Sequence, residues 1–128
     1  RVVQGGRRFS FSLAVAVGDY QGSVGVAVGK GSDVASALDK AVRLAKKNMI
    51  KVPLTKGLGI PHEVRVKYGS VRLLMRPAPG RGVAAGSSAR AILGLAGVTD
   101  TTVKVLSRSK NKINIARATM AALRQLSL

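Results

Sequence analysis

The 128-residue chain has no cysteine and no tryptophan, a single histidine, five acidic residues and only 3% aromatic residues. Each shortage closes off a class of chemistry. Without cysteine there are no disulfides, zinc ribbons or thiol nucleophiles. The carboxylates Asp19, Asp33, Asp39, Glu63 and Asp100 are scattered singly, and with His62 they form no ligand spacing, so no metal and no cofactor is expected. His62 lies in a proline-rich stretch, and no G-x-S-x-G elbow supplies it with a nucleophile, so no catalytic residue is assigned. No apolar run approaches the ~18 residues of a spanning helix, and the charges are spread over strands and loops, so no membrane partner is expected. The few aromatics leave no row of stacking platforms, and Phe9 and Phe11 are expected in the core.

What is abundant is small aliphatic surface and positive charge. Hydrophobic residues make up 46% of the chain, mostly Ala, Val and Leu, enough to build a core from small and branched side chains. Lys and Arg number 22, for a net charge of +17. Such self-repulsion is relieved against a polyanion, where phosphate contacts release counterions, so nucleic acid is the leading partner. Both halves share the charge: residues 1–52 carry nine basic and three acidic groups, residues 53–128 thirteen and two. The chain starts at Arg1 without an initiator Met and reads as the ordered part of a longer protein; no stretch reads as a signal peptide.

Two α/β units follow from the hydrophobic pattern. Phe9, Phe11, Leu13, Val15 and Val17 alternate with Ser and Ala, the period-two signature of a half-buried strand. After the turn GDYQG, Val24, Val26 and Val28 alternate with Gly25, Ala27 and Gly29, giving a second strand with one bare face. That face suits either a twisted, bulged sheet or the close approach of another backbone. A helix is predicted from Asp33 to about Met49, with Val34, Ala37, Leu38, Ala41, Val42 and Ala45 inward. Its other stripe carries Lys40, Arg43 and Lys47, with Lys46 beside them and only Asp39 near, a pattern that favours phosphate contact. PLTKGLGIP, residues 53–61, marks the junction. Beyond it, Val64 to Arg76 reads as a strand pair or one strand bent at Gly69, with Arg72 and Arg76 opposite the apolar positions. Ser87 or Ser88 can cap a helix to Ala96, Thr101 to Leu106 reads as a strand, and Asn111 or Asn114 can cap a last helix to about Leu126 with Ala116, Met120 and Leu123 inward.

Two stretches approach nucleotide-binding motifs and miss. GVAVGKGSD, residues 25–33, has Gly29 and Lys30 of G-x-x-x-x-G-K-[ST], but Val24 stands at the first glycine and Gly31 at the Mg²⁺-binding hydroxyl. A strand, a turn and a helix capped by Ser32 or Asp33 account for it, and leave Lys30 as a phosphate contact without transfer chemistry. PAPGRGVAAGSSA, residues 77–89, is similar to the phosphate loop of GHMP small-molecule kinases, with Ala84 and Ala85 replacing the G-L of G-L-G-S-S-A. A GHMP-like kinase is the remote alternative, and no small-molecule substrate is expected.

GDYQGSVGVAVGKGSDVASALDKAVRLAKKNMIKVPL, HEVRVKYGSVRLLMRPA, GVAAGSSARAILGLAG and NKINIARATMAAL occur in this order, and together they resemble the bacterial or organellar ribosomal small-subunit protein five family over essentially the whole chain. The resemblance implies an α+β fold of two small domains: residues 1–52 a double-stranded-RNA-binding-like sheet plus helix, residues 53–128 an α/β domain of the type shared with GHMP kinases. It implies a non-enzymatic ribosomal constituent that binds rRNA, stabilises head relative to body and supports translational accuracy, on a cytoplasmic or organellar ribosome and not as a homo-oligomer. By residue, it places Gly5, Gly6, Arg7 and Arg8 at the head-to-body junction, with Gln4 where the family usually has a lysine. The expected rRNA set is these four together with Lys30, Lys40, Arg43, Lys46, Lys47 and Arg76. Ala85, Gly86, Ser87, Ser88 and Arg90 resemble the surface that meets small-subunit protein four, with Arg81, Ser87 and Gly94 departing from the family pattern. Ser109, Asn111, Asn114 and Arg117 match the side next to small-subunit protein eight. A free-standing double-stranded RNA-binding module is the alternative.

Overall fold

The computed structural model describes residues 11–54, 59–80, 82–108 and 111–126, except the side chain of Ser87, and the backbone of residues 2–3 and 6–7. Val2–Val3 (β1) and Gly6–Arg7 (β2) form a short antiparallel pair, Val2 opposite Arg7 and Val3 opposite Gly6. The period-two stretches then form a long hairpin: Phe11–Gly18 (β3) runs antiparallel to Ser23–Gly31 (β4). Its turn is closed by Asp19, whose carboxylate accepts the N–H groups of Gln21 at 2.8 Å and Ser23 at 2.9 Å, and Tyr20 takes the left-handed conformation with φ 61°. Val34–Lys47 (α1) follows, and Ile50–Lys51 (β5) returns antiparallel to β4 to complete the sheet.

The bare face of β4 is covered by the backbone of α1. A methyl group on Gly29 would lie 2.5 Å from both the Ala37 carbonyl oxygen and the Ala41 nitrogen, and one on Gly31 would lie 2.6 Å from the Ala37 nitrogen. A methyl group on Gly25 would overlap the Ala45 carbonyl. Glycines on the strand and Ala37, Ala41 and Ala45 on the helix, all three fully buried, therefore bring the two backbones into direct contact. The buried stripe of α1 is narrower than its apolar pattern predicts: Val34 is 52% and Leu38 44% exposed, and Val42 is half-buried. Phe11, expected in the core, is 37% exposed where β3 pairs with the end of β4.

The second sheet begins with a hairpin, Val64–Tyr68 (β6) and Val71–Pro77 (β7), turning at Gly69 with φ 57°, so the bent-strand alternative does not apply. Val83–Ala84 (β8), Ser87–Ala96 (α2) and Thr101–Val105 (β9) make a β-α-β unit with β8 parallel to β9, and the sheet order is β6-β7-β9-β8. Lys112–Arg124 (α3) completes the described chain. The N-cap of α2 is Gly86, with no side-chain cap, so neither Ser87 nor Ser88 has the expected role. Asn111 caps α3, its side-chain oxygen accepting from the N–H groups of Ile113 and Asn114 at 3.1 and 3.2 Å.

The two units pack as four layers: α1, the first sheet, the pair α2 and α3, and the second sheet. Val24 of β4 joins Leu73, Met75, Ile92, Leu93, Met120 and Leu123 in one continuous core, each such side chain contributing about 1.5–3 kcal/mol on burial. Backbone hydrogen bonds lock the junction. The N–H of Tyr20 donates to the Leu95 carbonyl at 2.8 Å, and that of Gly22 to Ala96 at 2.7 Å. Gly97, the left-handed C-cap of α2 at φ 80°, permits this approach, since a methyl group there would overlap the Tyr20 carbonyl. The architecture is α+β in two domains, as the sequence implied.

Candidate nucleic-acid interface

Packing α1 through alanines on glycines leaves its outer side free, and the basic residues fall there. Lys40, Arg43 and Lys47 follow one another at spacings of three and four, so they share a helical stripe, with Lys46 on its flank. All four are exposed. Two ion pairs occur among the described residues, both made by Glu63, to Arg65 at 3.7 Å and to Arg76 at 3.5 Å, so none of the four α1 cations is neutralised by a described carboxylate. Asp33 caps the opposite end of the helix by accepting from the Ser36 N–H at 2.7 Å, a bond that holds its carboxyl below the usual range. Gln21 and Ser23, through their N–H groups, lower Asp19 in the same way. Rigid attachment on one side with unpaired cations on the other yields a surface suited to a phosphate backbone.

The structure divides the expected rRNA set among separate places. Gly6 and Arg7 lie on the β1–β2 pair, where the backbone alone is described; Gly5 and Arg8 lie outside the described residues. Lys30 is inside β4, not in a loop, on the face opposite Gly29 and Gly31, so it does not join the α1 stripe. With Gly25 to Gly31 in a continuous strand, GVAVGKGSD has no phosphate-cradling loop, and the failed motif match is explained. Arg76 is far along the chain on the second sheet, engaged by Glu63.

Around the start of α2, Ala85 and Ser88 are half-buried and Gly86 is exposed. The guanidinium of Arg90 donates to the Val83 carbonyl at 3.3 Å, tying the helix to β8. Gly82, at φ 66°, donates its N–H to the Asp100 carboxylate at 3.1 Å. Among the described residues no group of three or more His, Asp or Glu could hold a metal ion, and no helix is long and apolar enough to cross a membrane. On the remaining side, Asn111 is occupied as the cap, Asn114 is half-buried, and Arg117 donates to the Tyr68 hydroxyl at 3.4 Å; Ser109 lies outside the described residues. His62 Nδ1 is 3.0 Å from the Glu63 carbonyl oxygen.

Basic residues outside the expected rRNA set form another cluster. Arg65, Lys67, Arg72 and Lys104 are exposed on the second sheet, on the face away from α2 and α3. The signal was present in the alternation of Arg and Lys with buried Val and Leu, but which strands lie side by side is not written locally.

Residues 1–53 match the family model for the N-terminal domain of ribosomal protein S5, and residues 66–128 the model for its C-terminal domain. Small ribosomal subunit protein uS5 of Thermus thermophilus, and the proteins of that name from two strains of the species, are each 54% identical over 127 residues, spanning 98% of this chain and 77% of the relative.

Proposed function

The chain belongs to the ribosomal protein S5 family, and from that premise we propose how its surfaces are used. It is a structural, non-enzymatic constituent of the small ribosomal subunit, located on the ribosome, and its partners are rRNA and other ribosomal proteins. The observation that carries the mechanism is the stripe of Lys40, Arg43, Lys46 and Lys47, exposed and unpaired among the described residues, on a helix fixed backbone-to-backbone to its sheet. Such a stripe offers phosphates four cations from fixed backbone positions and recognises RNA by shape. Lys30 and Arg76 add phosphate contacts from other faces, and the segment Gly5 to Arg8 reaches toward the junction of head and body, where paired glycines allow close approach and the arginines clamp phosphate. Through that junction the chain supports accurate decoding.

The division falls at residues 1–52 and 53–128, supported by strand pairing that stays within each part. The start of α2, residues Ala85 to Arg90, is the side offered to small-subunit protein four. Arg117, with Ser109, Asn111 and Asn114, lies toward small-subunit protein eight, Asn111 acting there as a cap. Reversing two charges, Arg43→Glu with Lys47→Glu, tests the α1 surface. The variant is expected to fold, by circular dichroism, and to be absent from assembled subunits; normal incorporation would remove α1 from the RNA-binding surface.

A further inference from the structure

The four-layer order leaves two outermost surfaces: the outer side of α1 and the free face of the second sheet. None of the described elements covers that free face. Its residues follow from the register: Arg65 is opposite Leu74, Lys67 opposite Arg72, Leu74 opposite Lys104, and Arg76 opposite Thr102. Directly opposed residues share a face, so Arg65, Lys67, Arg72, Arg76 and Lys104 stand together across three strands. With strands about 4.8 Å apart and a rise of about 3.3 Å per residue, this is a patch roughly 10 Å wide and a few residues long.

Glu63 at the margin balances Arg65 and Arg76 in part, at 3.7 and 3.5 Å. Lys67, Arg72 and Lys104 have no carboxylate partner among the described residues. Lys67 and Arg72 are a directly opposed like-charge pair, an arrangement that destabilises a sheet unless an anion relieves it. Arg72 is also fixed: its N–H donates to Ser107 Oγ at 3.1 Å, and its carbonyl accepts the Leu106 N–H at 2.7 Å. Among the described residues the face holds no aromatic ring, since Tyr68 belongs to the opposite side with Arg117. Its apolar residues are Leu74, 8% exposed, Leu106, 44% exposed, and the exposed Ala84 of β8 opposite Thr102. A protein partner would find one large exposed aliphatic side chain, Leu106, set among five cations, and unpaired bases would find no stacking platform. The dominant chemistry of the face is positive charge, which suits the phosphate backbone of helical RNA.

We propose that this open sheet face, centred on Lys67, Arg72 and Lys104, is a second RNA-backbone surface, so that the chain holds one RNA helix against α1 and another against the opposite end of its layer stack. The proposal rests on the RNA-binding reading only in taking RNA as the polyanion. It gives the stacked fold a purpose: a rigid spacer between two helices.

The test uses the whole chain and a 20-base-pair RNA duplex at physiological salt. Duplex fixed on beads is incubated with protein, washed, and offered a second, fluorescent duplex of the same sequence. The wild-type chain is expected to capture it. The variant K67Q/R72Q/K104Q is expected to lose at least tenfold of that capture while its affinity for a single duplex changes by less than threefold, and its circular dichroism is unchanged. Retained capture by this folded variant overturns the proposal and leaves the α1 surface standing. Failure of the wild-type chain to bind even one duplex overturns the α1 surface and the proposal together. Independently, a photo-cross-linking amino acid in place of Lys104, incorporated into small subunits, is expected to link to rRNA; a link to protein alone, or none, overturns the proposal.

Discussion

Gly29→Ala puts one methyl group between β4 and α1, where the consequences can be worked out. The new carbon would sit 2.5 Å from the Ala37 carbonyl oxygen and the Ala41 nitrogen and 2.8 Å from the Ala41 α-carbon. All three are backbone atoms of a helix, so no side chain can swing away. The helix must rise off the sheet, and Ala37, Ala41 and Ala45, now fully buried, lose contact. Overpacking of this kind costs about 1–3 kcal/mol, and a backbone obstacle places it near 3. The loss of glycine's freedom in the unfolded chain offsets roughly 0.4–1 kcal/mol of that. The net is about 2 kcal/mol, which for a chain of this size lowers Tm by roughly 5–10 °C. Gly94→Ala is the control. It lies in α2 with nothing within 4 Å of the added methyl, so helix propensity alone acts and stabilises by up to about 1 kcal/mol. Thermal melts followed by circular dichroism should separate the two variants in opposite directions. An unchanged or higher Tm for Gly29→Ala would refute the backbone-contact account of the glycine face.

Gly97→Ala combines a left-handed backbone at φ 80° with overlap on the Tyr20 carbonyl, so urea denaturation should show it less stable than Gly94→Ala by more than about 1–2 kcal/mol. Asn111→Ala removes the α3 cap that accepts two N–H groups and should cost about 1 kcal/mol, read from the urea midpoint, while Asn114→Ala should leave the cap intact. Asp33, whose carboxyl is held low by the Ser36 N–H, contributes stability that is present above its unfolded pKa and lost as pH falls through its folded one, below about pH 4. Asp33→Asn keeps an N-cap acceptor without a titrating group, so its Tm should fall less between pH 5 and pH 2.5 than that of the wild type; equal losses would place the acid sensitivity elsewhere.

Local patterns carried much of this fold. Alternation in residues 11–17 and 24–28 specified β3 and β4. Gly69 with Arg and Lys between valines left a strand pair or one bent strand open, and the pairing of β6 with β7 decides for the hairpin. Asn111 had the spacing of a cap and is one. The failures come from contacts between distant segments. Val34 and Leu38 matched an inward stripe, but glycine-on-alanine packing draws α1 in along one narrow ridge and leaves its flanks exposed. Gly86 caps α2 in place of a serine, a choice that propensity alone does not predict. Gly18 and Gly97 meet Leu95 and Tyr20 across the junction of the two units, and only the assembled layers show why glycine is required there. For the site, the α1 stripe was legible because helical spacing gathers its cations within a few turns. The second sheet's basic face was not, since it requires β7 to lie between β6 and β9.

The most direct test of the central reading is sedimentation of the tagged chain from a cell lysate through a sucrose gradient, with probing of the RNA that travels with it. Co-migration with small subunits and recovery of small-subunit rRNA is the expected result. Recovery only with non-ribosomal duplex RNA would contradict it and favour a free-standing double-stranded RNA-binding module.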